Sequence, residues 1–133
     1  MFESSLTSVR ESLTNHLRTH GVLISLLILG RALDAGSTMV VLTASDSVYE
    51  SRAFARGLIA QFGLVEAMLL SVPIAVISLV AIGLLIDAGY PRLADALDAT
   101  ALEPLFPWLV RGVYGFGAVW FAYLGVSNTL LLF

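Results

Sequence analysis

The stretch Gly21–Ala44, GVLISLLILGRALDAGSTMVVLTA, decides how the rest of the chain reads. Its 24 residues would rise about 36 Å as an α-helix, enough to cross a hydrocarbon core about 30 Å thick. Only Arg31 and Asp34 in it are ionisable. Each costs about 2.5–3.5 kcal/mol at the middle of a membrane helix, so two together need a physical reason. At i, i+3 they are neighbours on one face, and Thr38 continues that face one turn on. A local ion pair removes much of the cost, provided the face turns toward protein or water rather than lipid. The first expectation is therefore an Arg–Asp pair that locks helices together. A proton or ion path and a ligand site are the alternatives.

The composition agrees with an apolar surrounding. Of 133 residues, 58% are hydrophobic and 13% charged, against about 25% charged in soluble domains. An ordinary water-soluble globule and a disordered chain are both excluded. All seven basic residues are Arg, against ten acidic ones, for a net charge of −3. No basic run exists, so nucleic acid is not an expected partner. Arg without Lys in a mildly acidic chain suits a halophile and equally a GC-rich genome. There is no Cys, which excludes disulfides, thiolate metal sites and thiol catalysis.

Two further apolar stretches follow, giving an all-α integral membrane protein with spans at about 21–44, 57–86 and 107–132. The second, from Gly57 to Ile86, contains Pro73 and reads as one long helix kinked there, with two half-helices as the alternative. The third runs from Pro107 through Leu132. Ahead of the first span, Phe2, Leu6, Val9, Leu13 and Leu17 recur at helical spacing. Residues 1–20 are thus expected as an amphipathic interfacial helix, and 21–133 as the transmembrane domain. The polar start lacks the look of a cleaved signal peptide, so the first span is expected to stay as an anchor.

The first connection, Ser45–Arg56, has a Ser47-x-x-Glu50 capping box predicted to start a helix. Arg52 and Arg56 are expected together at headgroup level. The second connection opens with a turn signal, Asp87-Ala-Gly-Tyr-Pro, followed by a short amphipathic helix around Leu93 and Leu97. Three spans put the termini on opposite sides. Arg10, Arg18, Arg92 and Arg111 outnumber Arg52 and Arg56, which favours a multi-pass protein of the cell membrane with a cytoplasmic N-terminus.

Depth alone places Asp34, Thr38, Glu66 and Asn128 between the midplane and one surface. With Arg31 as counter-ion they are candidates for one intramembrane polar cluster. In the third span Gly115, Ala118, Ala122, Gly125 and Thr129 form a stripe of small residues. Such a stripe allows close helix approach, within the monomer or between copies. Trp108, Tyr90 and Tyr49 are expected as interface anchors.

Catalytic sets were sought and the expectation is no enzyme. His16 and His20 stand i, i+4, a spacing that can bind a metal, but nothing nearby in sequence completes a ligand set. They are expected as solvated histidines at the headgroups, with no metal and no cofactor. Neither histidine falls inside a predicted span, and Asp34 is the one Asp clearly within one, which leaves no pair for an intramembrane protease.

Leu33-Asp34 followed by Ser37-Thr38, then Tyr49-Glu50, Phe62-Gly63 with Glu66, and Asn128 late in the third span, resemble an uncharacterised family of small three-span membrane proteins of archaea and bacteria. The likeness covers most of Leu27–Asn128. That family usually has Asn-Pro after its loop Glu, where this chain has Arg52-Ala53, and often Lys where Glu66 stands. The resemblance implies a three-helix membrane protein with no assigned activity. It points to Asp34, Thr38, Glu50, Glu66 and Asn128 as the residues that matter. The leading functional expectation is a structural or accessory subunit, partnered by the lipid bilayer and by a second copy or another membrane protein. The alternatives are an ion or proton transport component using Arg31, Asp34 and Glu66, and a membrane protein of an enveloped virus of a halophile.

Overall fold

No proline and no turn cluster interrupts the chain up to Ala44, and helix α1 runs unbroken over Phe2–Ala44. The computed structural model describes residues 1–47, 49–50, 52–98 and 100–133, with the side chains of Phe2, Thr100 and Leu102 left aside. The remaining helices are α2 (Ala53–Phe62), α3 (Leu64–Ala96) and α4 (Phe106–Leu130), with a 3-10 segment at Thr100–Leu105 before α4. No strand occurs among the described residues.

Four boundaries differ from the sequence reading. The boundary expected at 20/21 is not a helix end: residues 3–15 are exposed, and they continue the axis of the first span. Gly21 does not break the helix, and nothing lies within 4 Å of where its Cβ would stand. The second apolar stretch breaks at Gly63 rather than at Pro73. Gly63 has φ 86° and serves both as C-cap of α2 and N-cap of α3, a backbone conformation that glycine adopts without the Cβ penalty. Pro73 stays inside α3, as proline can in an apolar span.

The turn expected at Asp87–Pro91 is also absent, since α3 continues to Ala96. Tertiary contacts override the local signal there: Asp87 is bound to His16, and Tyr90 stacks on Phe106 with centroids 5.0 Å apart. The helix ends beyond that signal, at Leu97 and then Asp98, whose φ is 50°; Asp tolerates that left-handed region better than most residues. Of the short helix expected over Leu93, Leu97 and Ala101, Leu93 lies in the last turns of α3, Leu97 caps it, and Ala101 falls in the 3-10 segment. Last, α2 begins at Ala53 with no side-chain cap. Ser47 bonds Ser45 at 2.9 Å while Glu50 turns to Arg52, so the expected capping box does not form. Within those two connections, Val48, Ser51 and Ala99 lie outside the described residues.

α1 and α4 run parallel, with α3 antiparallel to both: early α1 meets late α3 and early α4, and mid-α1 meets early α3 and late α4. The α1–α4 seam is close-packed. A Cβ on Gly30 would stand 2.7 Å from the Ala118 carbonyl oxygen, and one on Gly125 would stand 3.0 Å from the Asp34 backbone nitrogen. Ala118, Ala122 and Gly125 of the predicted stripe are therefore used inside the monomer. Gly115, with nothing within 4 Å, and the exposed Thr129 lie off the seam. Buried Gly117, which meets Leu27 and Leu79, takes the place of Gly115.

Ile24, Leu27, Val110 and Tyr114 make the main core cluster; Ala35, Ala55, Ala67 and Met68 make a second. Outside, the helices are apolar: Val22, Leu69, Ile77, Leu85 and Phe116 are all well exposed. The surface is 8992 Å², against roughly 6,800 Å² for a compact soluble monomer of this mass. Three helices (Glu3–Ala44, Leu64–Ala96, Glu103–Leu130) are long and apolar enough to cross a membrane, with mean hydropathy reaching 2.8 in the second. Polar side chains inside and apolar ones outside is the arrangement a bilayer favours.

Candidate functional site

Asp34 is completely buried, at the point on α1 where Gly125 lets α4 come against its backbone. Each carboxylate oxygen has its own partners. Oδ2 accepts from Arg31 Nη1 at 2.5 Å and from Arg52 Nη1 at 2.9 Å, while Oδ1 accepts from Asn128 Nδ2 at 3.2 Å. The same Asn128 amide donates to Thr38 Oγ1 at 2.9 Å, and Ser37 Oγ donates to the Asp34 carbonyl at 3.0 Å. Arg31, also buried, uses Nη2 to reach Ser71 Oγ on α3 at 2.6 Å. Ser71 in turn donates to the Met68 carbonyl at 2.8 Å. Phe121 lies 5.2 Å from the Arg31 guanidinium carbon, within cation–π range. Arg31 Nε has no acceptor among the described residues.

The loop before α2 closes the site. Arg52 forks onto Glu50, with Nε 3.0 Å from Oε1 and Nη2 3.1 Å from Oε2, and its backbone N–H donates to Oε1 at 2.9 Å. Burial raises the Glu50 carboxyl pKa, but the hydrogen bonds from Arg52 outweigh it and hold the carboxyl below its ordinary 4.5. Burial likewise opposes the charge on Arg52, and the bonds from Glu50 and Asp34 overcome it, raising the guanidinium above its usual value. The two cations and two anions thus balance one another, a third cation, Arg56, donates from Nη1 to the Glu50 carbonyl at 3.4 Å, and the donors span α1, α2, α3, α4 and the loop.

Beside them is a cavity of about 290 Å³, lined among others by Asp34, Thr38, Tyr49, Glu50, Arg52 and Asn128. Arg52 is the partly exposed member of the four charged side chains, 36% accessible. Both oxygens of the Asp34 carboxylate are already taken up by side-chain donors from α1, α4 and the loop. The arrangement suits holding helices in register better than acid–base exchange.

Arg31, Asp34, Thr38 and Asn128 therefore meet, as depth predicted. Glu66 does not. It is exposed in the first turn of α3, where a carboxylate is favoured by the helix N-terminus; depth fixed its level but not its rotation. The sequence reading missed Ser71 and placed Arg52 at headgroup level. The loop Glu of the family resemblance was the one signal pointing toward Arg52's anchor. Tyr49 and Trp108 are exposed near helix ends, and Arg111 lies 5.3 Å over the Trp108 ring.

The expectation for the histidines is corrected. His16 and His20 are buried, with relative exposures of 4% and 8%, because α1 continues through them and α3 and α4 pack against that part of it. Asp87, distant in sequence, completes a set with them. It also lies within a helix long enough to span, so Asp34 is not alone in that respect. Comparison with family models, with curated proteins and with solved structures finds no match to this chain.

Proposed function

We propose that this is a small integral protein of the cell membrane that works as a structural or accessory subunit, by helix association with a second copy or another membrane protein. The observation that carries the reading is the closed ion network. Its four charges cancel and tie the monomer together, leaving helix and lipid contacts as what the molecule offers outward. Since the small-residue seam is occupied by α1, association falls to other faces. On α4 the exposed Phe116, Val119, Trp120 and Tyr123 form a ridge, with Phe116 and Trp120 stacked 6.2 Å apart. Large aromatic side chains at low entropic cost suit a contact surface.

The N-terminus is assigned to the cytoplasm. Arg10, Arg18, Arg92 and Arg111 belong to one end of the bundle and outnumber Arg52 and Arg56 at the other; the positive-inside bias then favours the first end. Transport by the monomer is the weaker reading, because the apolar cluster of Ile24, Leu27 and Val110 lies between the Asp34 network and the polar groups at the other end.

The absence of Cys makes the test clean. Single cysteines at Val119 and at Leu69 are crosslinked in native membranes. Adducts formed from Val119 are expected. Monomers alone at both positions, with nothing co-purifying, would end the proposal.

A further inference from the structure

We infer that His16, His20 and Asp87 form a binding site for a first-row divalent cation of the zinc type, at the opposite end of the bundle from Asp34. The inference is independent of the proposed function.

Three elements converge there. α1 presents two imidazoles one turn apart, tilted 52° with centroids separated by 4.8 Å. α3 brings the Asp87 carboxylate, which is bound to His16 Nδ1. One ligand atom from each of the three residues lies within 4.8 Å of the other two. Zinc with nitrogen and oxygen ligands at about 2.0–2.1 Å puts tetrahedral donors about 3.3 Å apart, so small rotations of these side chains reach the geometry. Two imidazoles and one carboxylate match zinc and its first-row neighbours. Calcium and magnesium call for oxygen throughout.

Two further features point to a ligand rather than to packing. His20 is more than nine-tenths buried, yet no hydrogen bond from the described residues engages its ring, and it lines a cavity of about 350 Å³ together with His16, Asp87 and Arg111. That cavity gives a metal an approach and leaves room for water in a fourth position.

The second feature is the support behind His16. Its Nε2 lies 2.6 Å from Tyr114 Oη, which also donates to the Val80 carbonyl at 3.4 Å. With Nε2–H donating to Tyr114, Nδ1 is the nitrogen left with a lone pair for a cation, and such a bond is what fixes the tautomer of a metal-binding imidazole. Tyr114 is itself fully buried, in space that exists because residue 83 is Gly; a Cβ there would collide with its hydroxyl. Metal binding moves the His16 proton from Nδ1, where it bridges to Asp87, to Nε2, where it donates to Tyr114. The hydrogen bond to Asp87 thus gives way to two metal–ligand bonds, and His20 enters as the third.

The test uses the whole chain purified in detergent, stripped with a chelator and titrated with Co²⁺ alone, then with Zn²⁺ against a chromophoric competitor. One equivalent per chain is expected, with ligand-field absorption of a tetrahedral site and no competition from Mg²⁺. His20→Gln and Asp87→Asn should weaken binding on the order of tenfold or more. His20→Gln is the safer variant because no hydrogen bond from the described residues engages the His20 ring, and helical content reports that it folds. Wild-type binding no tighter than that of a folded His20→Gln chain overturns the inference.

Discussion

Asp34 is where one atom's change carries furthest. Its carboxylate answers two guanidiniums, and Asp34→Asn leaves Arg31 and Arg52 sharing the single charge of Glu50. Removing one partner of a buried pair costs about 3–5 kcal/mol, because the remaining charge stays buried without compensation. Unfolding of Asp34→Asn in detergent micelles should show a loss of that size. Glu66→Gln, at an exposed helix start, should lose less than about 1 kcal/mol. Glu50 adds a pH signature. Its carboxyl is held below 4.5 in the folded chain, so its contribution is complete above that value and disappears as pH falls through the lower folded one. The stability gap between wild type and Glu50→Gln should therefore stay level from about pH 7 to pH 5 and narrow below about pH 4. A gap that widened on acidification would contradict the Arg52 fork.

At the scale of elements, the α1–α4 seam depends on two glycines that admit backbone to backbone. Gly30→Ala brings a methyl to 2.7 Å from the Ala118 carbonyl, where no flexible side chain can give way. Overpacking of this kind costs about 1–3 kcal/mol. Gly115→Ala meets nothing within 4 Å and should be neutral or stabilising by up to about 1 kcal/mol. Paired thermal melts decide it, and equal effects of the two changes would mean the seam is placed wrongly.

The same scale shows what was legible beforehand. The three long helices could be read because hydropathy is summed over some twenty residues, and one anomaly cannot cancel it. The start of α1 and both ends of α3 could not. The Asp87–Pro91 signal is local, and contacts to His16 and Phe106 from far along the chain overrule it. Within the site, depth along each helix was readable and rotation was not, which separates Asn128 from Glu66. Arg52 reaches Asp34 from a loop, where no periodicity announces it.

Among the described residues two buried polar clusters stand at the scale of the whole molecule, with apolar core between them. His16 and Asp34 are 18 residues apart on one helix, which is about 27 Å along its axis. Ile24, Leu27, Val110 and Tyr114 fill the space between. Changes at sites more than about 7–10 Å apart with no shared partner add within about 0.3–0.5 kcal/mol. A double-mutant cycle of Asp34→Asn with Asp87→Asn should therefore be additive in unfolding free energy. Asp34→Asn should also leave Co²⁺ affinity at the histidine end unchanged. Additivity fits a bundle fastened separately at two levels, as a subunit that only associates requires. A coupling clearly above that range, with a matching shift in Co²⁺ affinity, would mean that the two ends communicate through the core. The apolar cluster between them would then be a gate, and transport would become the stronger reading of the same residues.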